Sequence, residues 1–512
     1  MKKSTAKKSA YNIVSSILNQ VLAIALGIII PRLYLTTFGS EVNGLLNSVN
    51  QIYTYLALLE AGVGTATLQA LYKPVAQDDE SSIAAIMAAT NRFYKRTGTI
   101  YFILVVILSI GYPLVVKSNI PFTTVFAVIM LNGLPAVIGY FFQGKFKILL
   151  QAEGKNYIIT NLTTIINFCV NASKVVLMLC GFSIISIQVA YFVFQMVQVI
   201  FIMLYMKRHY KWMDLTVKPD YDAISQKNSV LIMQISDMIF RNTDIIVLTI
   251  FCDLKVVSVY AIFNMLFSTI VTFMDSFSQG FDFALGQRFN TDRKAHLKLH
   301  DVYETYRMTL VFSLLCIARI FIIPFISLYT KGVTDINYVD NKLAWLFVIM
   351  FILTNARNNS AGLINFAKHF KQTQWRCVAE AVINITVSIA CVYTFGIYGV
   401  LIGTIVALLY RANDMIIYAN RKILNRSPWV TYKRVLICTA IFAAVTFVSR
   451  YIHVDLSSYF KIILWAAVAS AVIIPLFFGV MSVCEPKQAK FAYAFVKEII
   501  KNKLKRKSNE NT

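Results

Sequence analysis

The residues of this sequence able to do chemistry are ionisable side chains set inside apolar runs. Such a group at a bilayer centre costs at least about 2.5–3.5 kcal/mol on insertion scales, so each one needs a partner, water or a ligand. Some meet opposite charge at helical spacing. Asp237, Arg241 and Asp244 stand at i, i+4 and i+7, and Arg376–Glu380 and Arg411–Asp414 are placed to pair in the same way. Others have no opposite charge within four residues: the cations Lys174, Arg319 and Arg357, and the anions Glu60, Asp275 and Asp282. Their partners are other helices, water or a substrate. If the three cations converge on a wet cavity, that cavity suits an anionic group, and the planar fork of arginine suits a phosphate. Salt bridges between helices, for example Glu60 with Arg319, are the alternative.

The elements that position these groups are transmembrane helices. Of 512 residues, 57% are hydrophobic and only 14% charged, against about 25% charged in soluble domains. The apolar residues fall in runs of about 18 to 25, the length needed to cross roughly 30 Å of hydrocarbon. Fourteen such spans can be placed. With the N-terminus inside, the inner segments hold 36 Lys and Arg and the outer ones seven. That bias is the positive-inside pattern and puts both termini in the cytoplasm. It also accounts for the net charge of +24 without a nucleic-acid partner.

The pattern of residues 1–206 returns about 215 residues later. Phe38-Gly39-Ser40 corresponds to Phe251-Cys252-Asp253, Glu60 to Asp275, Asn167 to Asn384 and Gly181 to Gly396. Each unit has six helices, so the copies are parallel repeats. The expected architecture is an all-α integral membrane protein of about fourteen helices: an N-lobe (1–206, helices 1–6), a basic cytoplasmic linker (207–228), a C-lobe (229–421, helices 7–12), two further helices (434–483) and a basic amphipathic cytoplasmic tail (485–512). Residues 83–96, acidic before and basic at the end, read as a short helix on the membrane surface.

Eight cysteines are scattered singly, the five histidines lack metal-ligand spacing, and no Walker loop, Gly-x-Ser-x-Gly or His-Glu-x-x-His occurs. No metal, cofactor or catalytic residue is expected. Outer loops are short, which disfavours a membrane polymerase or glycosyltransferase. Glu60 and Asp275, at equivalent places in the repeat, are the carboxylates placed to couple opening to protons.

Ile30-Pro31-Arg32, Phe38-Gly39-Ser40-Glu41-Val42-Asn43-Gly44-Leu45, Leu58-Leu59-Glu60-Ala61-Gly62-Val63-Gly64, Leu150-Gln151-Ala152-Glu153-Gly154-Lys155 and Asn242-Thr243-Asp244 follow one another in an order that resembles the bacterial Wzx-type polysaccharide flippases. Cys252 stands where that family would place a glycine. The resemblance implies two six-helix lobes around a central cavity in the bacterial inner membrane. It also implies flipping of undecaprenyl-pyrophosphate-linked oligosaccharides for O-antigen, capsule or exopolysaccharide, with a polysaccharide polymerase or assembly protein as a further partner. Through it Arg32, Asp244, Arg319 and Arg357 become cavity candidates, beside Lys174 and Arg241 from the charge pattern. A peptidoglycan-precursor flippase or a drug antiporter of the same fold is the alternative; a drug antiporter for cationic compounds would want an acidic cavity.

Overall fold

The computed structural model describes residues 2–60, 63–221, 228–367 and 369–494. Fifteen helices follow in order: α1 (Lys2–Leu56), α2 (Val63–Ala76), α3 (Glu80–Val115), α4 (Phe122–Phe142), α5 (Gly144–Ala152), α6 (Asn156–Leu179), α7 (Ile184–His209), α8 (Asn228–Phe251), α9 (Leu254–Thr291), α10 (Arg293–Tyr329), α11 (Asn341–Phe366), α12 (Phe370–Phe395), α13 (Ile397–Tyr418), α14 (Trp429–Ser449) and α15 (Tyr459–Cys484). A 3₁₀ turn (Ala57–Glu60) lies between α1 and α2, and a π turn (Ala419–Ile423) follows α13. No strand occurs among the described residues. Among the described residues ten helices are long and apolar enough to cross a membrane, and the expected span 43–70 is divided between α1, the 3₁₀ turn and α2. The protein is a multi-pass membrane protein. Two of the more polar members are α8, with Asp237, Arg241 and Asp244, and α11, with Arg357 among asparagines.

Turn chemistry sets the boundaries. Asp79, Ser183, Asp292, Asp340 and Ser458 each accept a backbone N–H in the first turn of the helix that follows. The first expected span and the start of the second share α1, broken at Gly39, where φ of +81° demands glycine. Asp335 caps the helix that restarts there: its carboxylate accepts the Ser40 N–H at 3.0 Å and the Ser40 hydroxyl at 2.6 Å. Gly181 and Gly396, paired by the sequence repeat, both have positive φ, at 75° and 55°.

The chain divides into two compact units, Met1–Ile262 with Gly332–Ile336, and Phe263–Lys331 with Asn337–Thr512. In the first, two apolar clusters stack Tyr94, Tyr101, Val105, Leu149 and Leu150 at one level and Leu45, Val49, Val128 and Ile129 at another. In the second, α10 is buried over more than half of its apolar stretch, whereas α15 buries under a fifth. Residues such as Phe460 and Val483 on α15 therefore face lipid.

Two expectations need correction. Residues 83–96 do not form a separate surface helix but the first turns of α3, whose 36 residues reach about 54 Å, well beyond the hydrocarbon. Ile83, Ile86, Met87 and Ala89 are buried there; their apolar face packs within the unit instead of on lipid. The inner segment 143–156 is not simply a loop either, since α5 occupies most of it with Leu149 and Leu150 fully buried. Part of the linker folds back, the Asp220 N–H donating to the Ala85 carbonyl at 3.2 Å. Residues 486–494, where the expected tail helix begins, are helical; the tail beyond residue 494 lies outside the described residues.

Candidate functional site

In the first unit, α1 carries Arg32, half-buried, with its carbonyl accepting the Thr36 hydroxyl at 3.0 Å. Lys174 lies five residues before the end of α6, with Nζ 5.5 Å from the centroid of the Tyr191 ring on α7. Cation–π contact lowers the cost of an ammonium without neutralising it. Among the described residues Lys174 has no carboxylate partner.

On α8, Arg241 donates to Asp237 at 2.7 Å, the expected i, i+4 pair, with both side chains about half exposed. Asp244 is buried at 3% exposure and accepts the Tyr260 hydroxyl from α9 at 2.8 Å. Beside it the Tyr55 hydroxyl donates to the Ile239 carbonyl at 3.0 Å, fastening α1 to α8.

Glu60 ends the 3₁₀ turn and accepts the Tyr94 hydroxyl from α3. Its carboxylate opens on a cavity of about 460 Å³ also lined by Tyr140, Gln143, Lys147 and Gln151. Sequence reasoning missed these four neighbours. The legible signal was the apolar triplet Ile148-Leu149-Leu150 in a nominal loop, which demands burial and so draws Lys147 against the helices. Asp275, its counterpart in the repeat, is on α9, but its side chain lies outside the described residues, as does that of Asp282.

The second unit holds Arg319 and Arg357. Arg319, ten residues before the end of α10, sits 4.6 Å from the Trp345 ring centroid and donates to Asn341 Oδ1 at 3.0 Å. Its Nε is buried without an acceptor, and no carboxylate pairs with it among the described residues. Arg357 differs. Its Nη1 lies 2.6 Å from Glu380 Oε1 on α12, and both side chains are almost wholly buried. Arg411 approaches the other oxygen of Glu380 at 3.4 Å and holds Asp414 at 2.7 Å, while Arg376 also pairs with Asp414. Arg411–Asp414 is thus as expected, but Glu380 pairs with Arg357 and Arg411. Spacing within one helix overlooked the closer partners on neighbouring helices.

The two arginines do not converge. Arg319 reaches Asn341 at the start of α11, and Arg357 lies sixteen residues further along that helix, about 24 Å away at 1.5 Å per residue. Among the described residues Arg319, like Lys174, is an intramembrane cation with no carboxylate partner.

A second buried network was also missed. Arg434, fully buried on α14, lies 3.0 Å from Asp301 and 3.8 Å from Glu485 and contacts Glu304; Arg426 bonds Asp301 and, at 2.8 Å, Glu304. It ties α10, α14 and the end of α15 together. Further along the same helices, α10, α14 and α15 leave an apolar groove of about 420 Å³ walled by Ile320, Phe321, Val448, Trp465, Val472 and Leu476.

At the loop after α5, Lys155 lies 2.7 Å from Glu153 and 3.0 Å from the Tyr210 hydroxyl. The hydrogen bond to Glu153 holds the Lys155 pKa above its ordinary value, and burial together with Glu153 pushes Tyr210 up to about 12.

No family model matches the sequence, and no curated protein matches it. Solved structures do match the fold. The lipid II flippase MurJ, in an inward closed conformation, superposes with a TM-score of 0.62 at 12% identity, covering 91% of this chain and 99% of that one. An inward-facing multidrug resistance MATE family transporter of the MOP superfamily gives 0.59 at 14% identity, covering 78% and 94%. The class is therefore plain: an all-α integral membrane protein whose fold is like that of these transporter structures.

Proposed function

We propose that this protein is a flippase that moves polyprenyl-pyrophosphate-linked oligosaccharide units from the cytoplasmic to the outer leaflet of the bacterial inner membrane, for surface polysaccharide assembly. The observation that carries the reading is Arg319: a guanidinium in an apolar helix, stacked on Trp345, with no carboxylate partner among the described residues and Nε unsatisfied. A membrane protein keeps such a charge where an anion visits it. Lys174 supplies a second cation. Both lie toward the helix ends that the Lys and Arg distribution assigns to the outside, so they favour a pyrophosphate that has crossed. The apolar groove of α10, α14 and α15 suits a polyisoprenoid chain. Arg357, buried against Glu380, serves as scaffold, while Arg32, Arg241 and Asp244 stay candidates for the cargo path.

A second reading, the peptidoglycan precursor lipid II as cargo, is favoured by the fold match to a lipid II flippase. It shares the pyrophosphate chemistry and differs in the sugar. The test is reconstitution of the full chain in liposomes with fluorescent polyprenyl-pyrophosphate oligosaccharide in one leaflet. Transfer of that lipid, with lipid II left in place, supports the first reading. Transfer of lipid II alone supports the second, and transfer of neither overturns both.

A further inference from the structure

We propose that the cavity around Glu60 binds a sugar residue, giving the first unit a saccharide-reading subsite separate from the cations that take phosphate. The inference rests on the flippase reading for its biological ligand, but its chemistry stands on the cavity.

The site is built from three elements. Glu60 comes from the 3₁₀ turn before α2, Tyr140 from α4, Gln143 from the junction of α4 and α5, and Lys147 and Gln151 from α5. Glu60 and Lys147 both line the cavity, yet no ion pair within 4.0 Å joins them among the described residues. Two opposite charges left apart in a partly buried cavity leave room for a group that bonds to both. Gln143 and Gln151 bring amide side chains to the same lining, groups that both donate and accept hydrogen bonds.

The required chemistry is narrow. The Glu60 carboxylate accepts, the Lys147 ammonium donates, the Gln143 and Gln151 amides belong to the lining, and Tyr140 supplies an aromatic wall. An anion would meet Glu60; a cation would meet Lys147. A neutral polyhydroxylated ring satisfies all of them, since each hydroxyl both donates and accepts. About 460 Å³ holds one or two rings. Gly64 keeps the space open: a methyl built there would lie 3.9 Å from Glu60 Oε1 and 3.8 Å from the Tyr94 hydroxyl, in ordinary contact.

The test measures binding to full-length protein in nanodiscs with three probes: polyprenyl pyrophosphate without sugar, the same lipid carrying the host oligosaccharide, and the free oligosaccharide released by mild acid. Wild type should bind the sugar-bearing lipid about tenfold or more tightly than the bare lipid. Gly64→Leu, which fills the cavity, and Lys147→Met should each abolish that advantage while leaving bare-lipid affinity unchanged. Gly64→Ala, with no close contact, is the folding control and should weaken sugar binding less. Equal affinity for the two lipids in wild type, or an advantage that survives both substitutions, overturns the subsite. Failure of bare lipid to bind, with free oligosaccharide still lost in Gly64→Leu, supports the sugar site and overturns the flippase reading instead.

Discussion

Arg357 on α11 and Glu380 on α12 meet at 2.6 Å with both side chains almost wholly buried. The pair converts a residue that stands alone in sequence into a structural one. Removing one member of a buried ion pair costs about 3–5 kcal/mol, because the survivor is left uncompensated. Glu380→Ala should therefore lower the thermal midpoint in detergent as much as Arg357→Ala does, or more, since Glu380 also faces Arg411. The double replacement by apolar residues should recover part of the loss. A stable Arg357→Ala protein that has lost only transport would return Arg357 to the cargo path.

Arg319 is expected to behave in the opposite way. Arg319→Ala should abolish export at normal protein level, because its guanidinium has only Asn341 and the Trp345 face to lose. Arg319→Lys keeps the charge but not the planar fork, and should retain partial export. Surface polysaccharide and protein abundance measured together separate the outcomes.

The all-helical membrane fold was legible in sequence, because lipid punishes any backbone that does not satisfy its own hydrogen bonds, and ten of the described helices are long and apolar enough to span. Gly181 and Gly396, matched in sequence, both turn with positive φ. Pairing between helices was not legible. Arg376 and Glu380 have ideal spacing, yet Glu380 turns to Arg357, because burial favours the partner that completes a desolvated network over the one four residues away. The Glu60 cavity was hidden for a related reason: its amides and Lys147 belong to a segment whose charges read as sidedness signals, and tertiary packing alone brings them to the carboxylate.

The groove of α10, α14 and α15 predicts a dependence on tail length. Ala469→Trp should obstruct it and slow flipping of a long polyprenyl cargo several-fold, while a cargo with a tail of two or three isoprene units is spared. Initial flipping rates in liposomes for the two tail lengths provide the measurement; equal slowing would argue for a structural role.

Lys155 predicts an alkaline effect. Its pKa is held above the ordinary value by Glu153 and Tyr210, so its contribution to stability is fully present below the unfolded lysine value of about 10.4. It fades as pH rises through the higher folded value. Lys155→Met should lower thermal stability modestly near neutrality and flatten its further loss above pH 10, so that the two proteins converge at alkaline pH. An unchanged alkaline slope would show that the clip contributes nothing there.

The most direct test of the central claim is made in the host. Delete the gene, restore it as wild type or Arg319→Ala, and assay which leaflet holds the polyprenyl-pyrophosphate-linked oligosaccharide by enzymatic accessibility and mass spectrometry. The flippase account predicts complete oligosaccharide units trapped in the inner leaflet of the deletion and Arg319→Ala strains, and outer-leaflet units only with wild type. Complete units reaching the outer leaflet without the protein would contradict it.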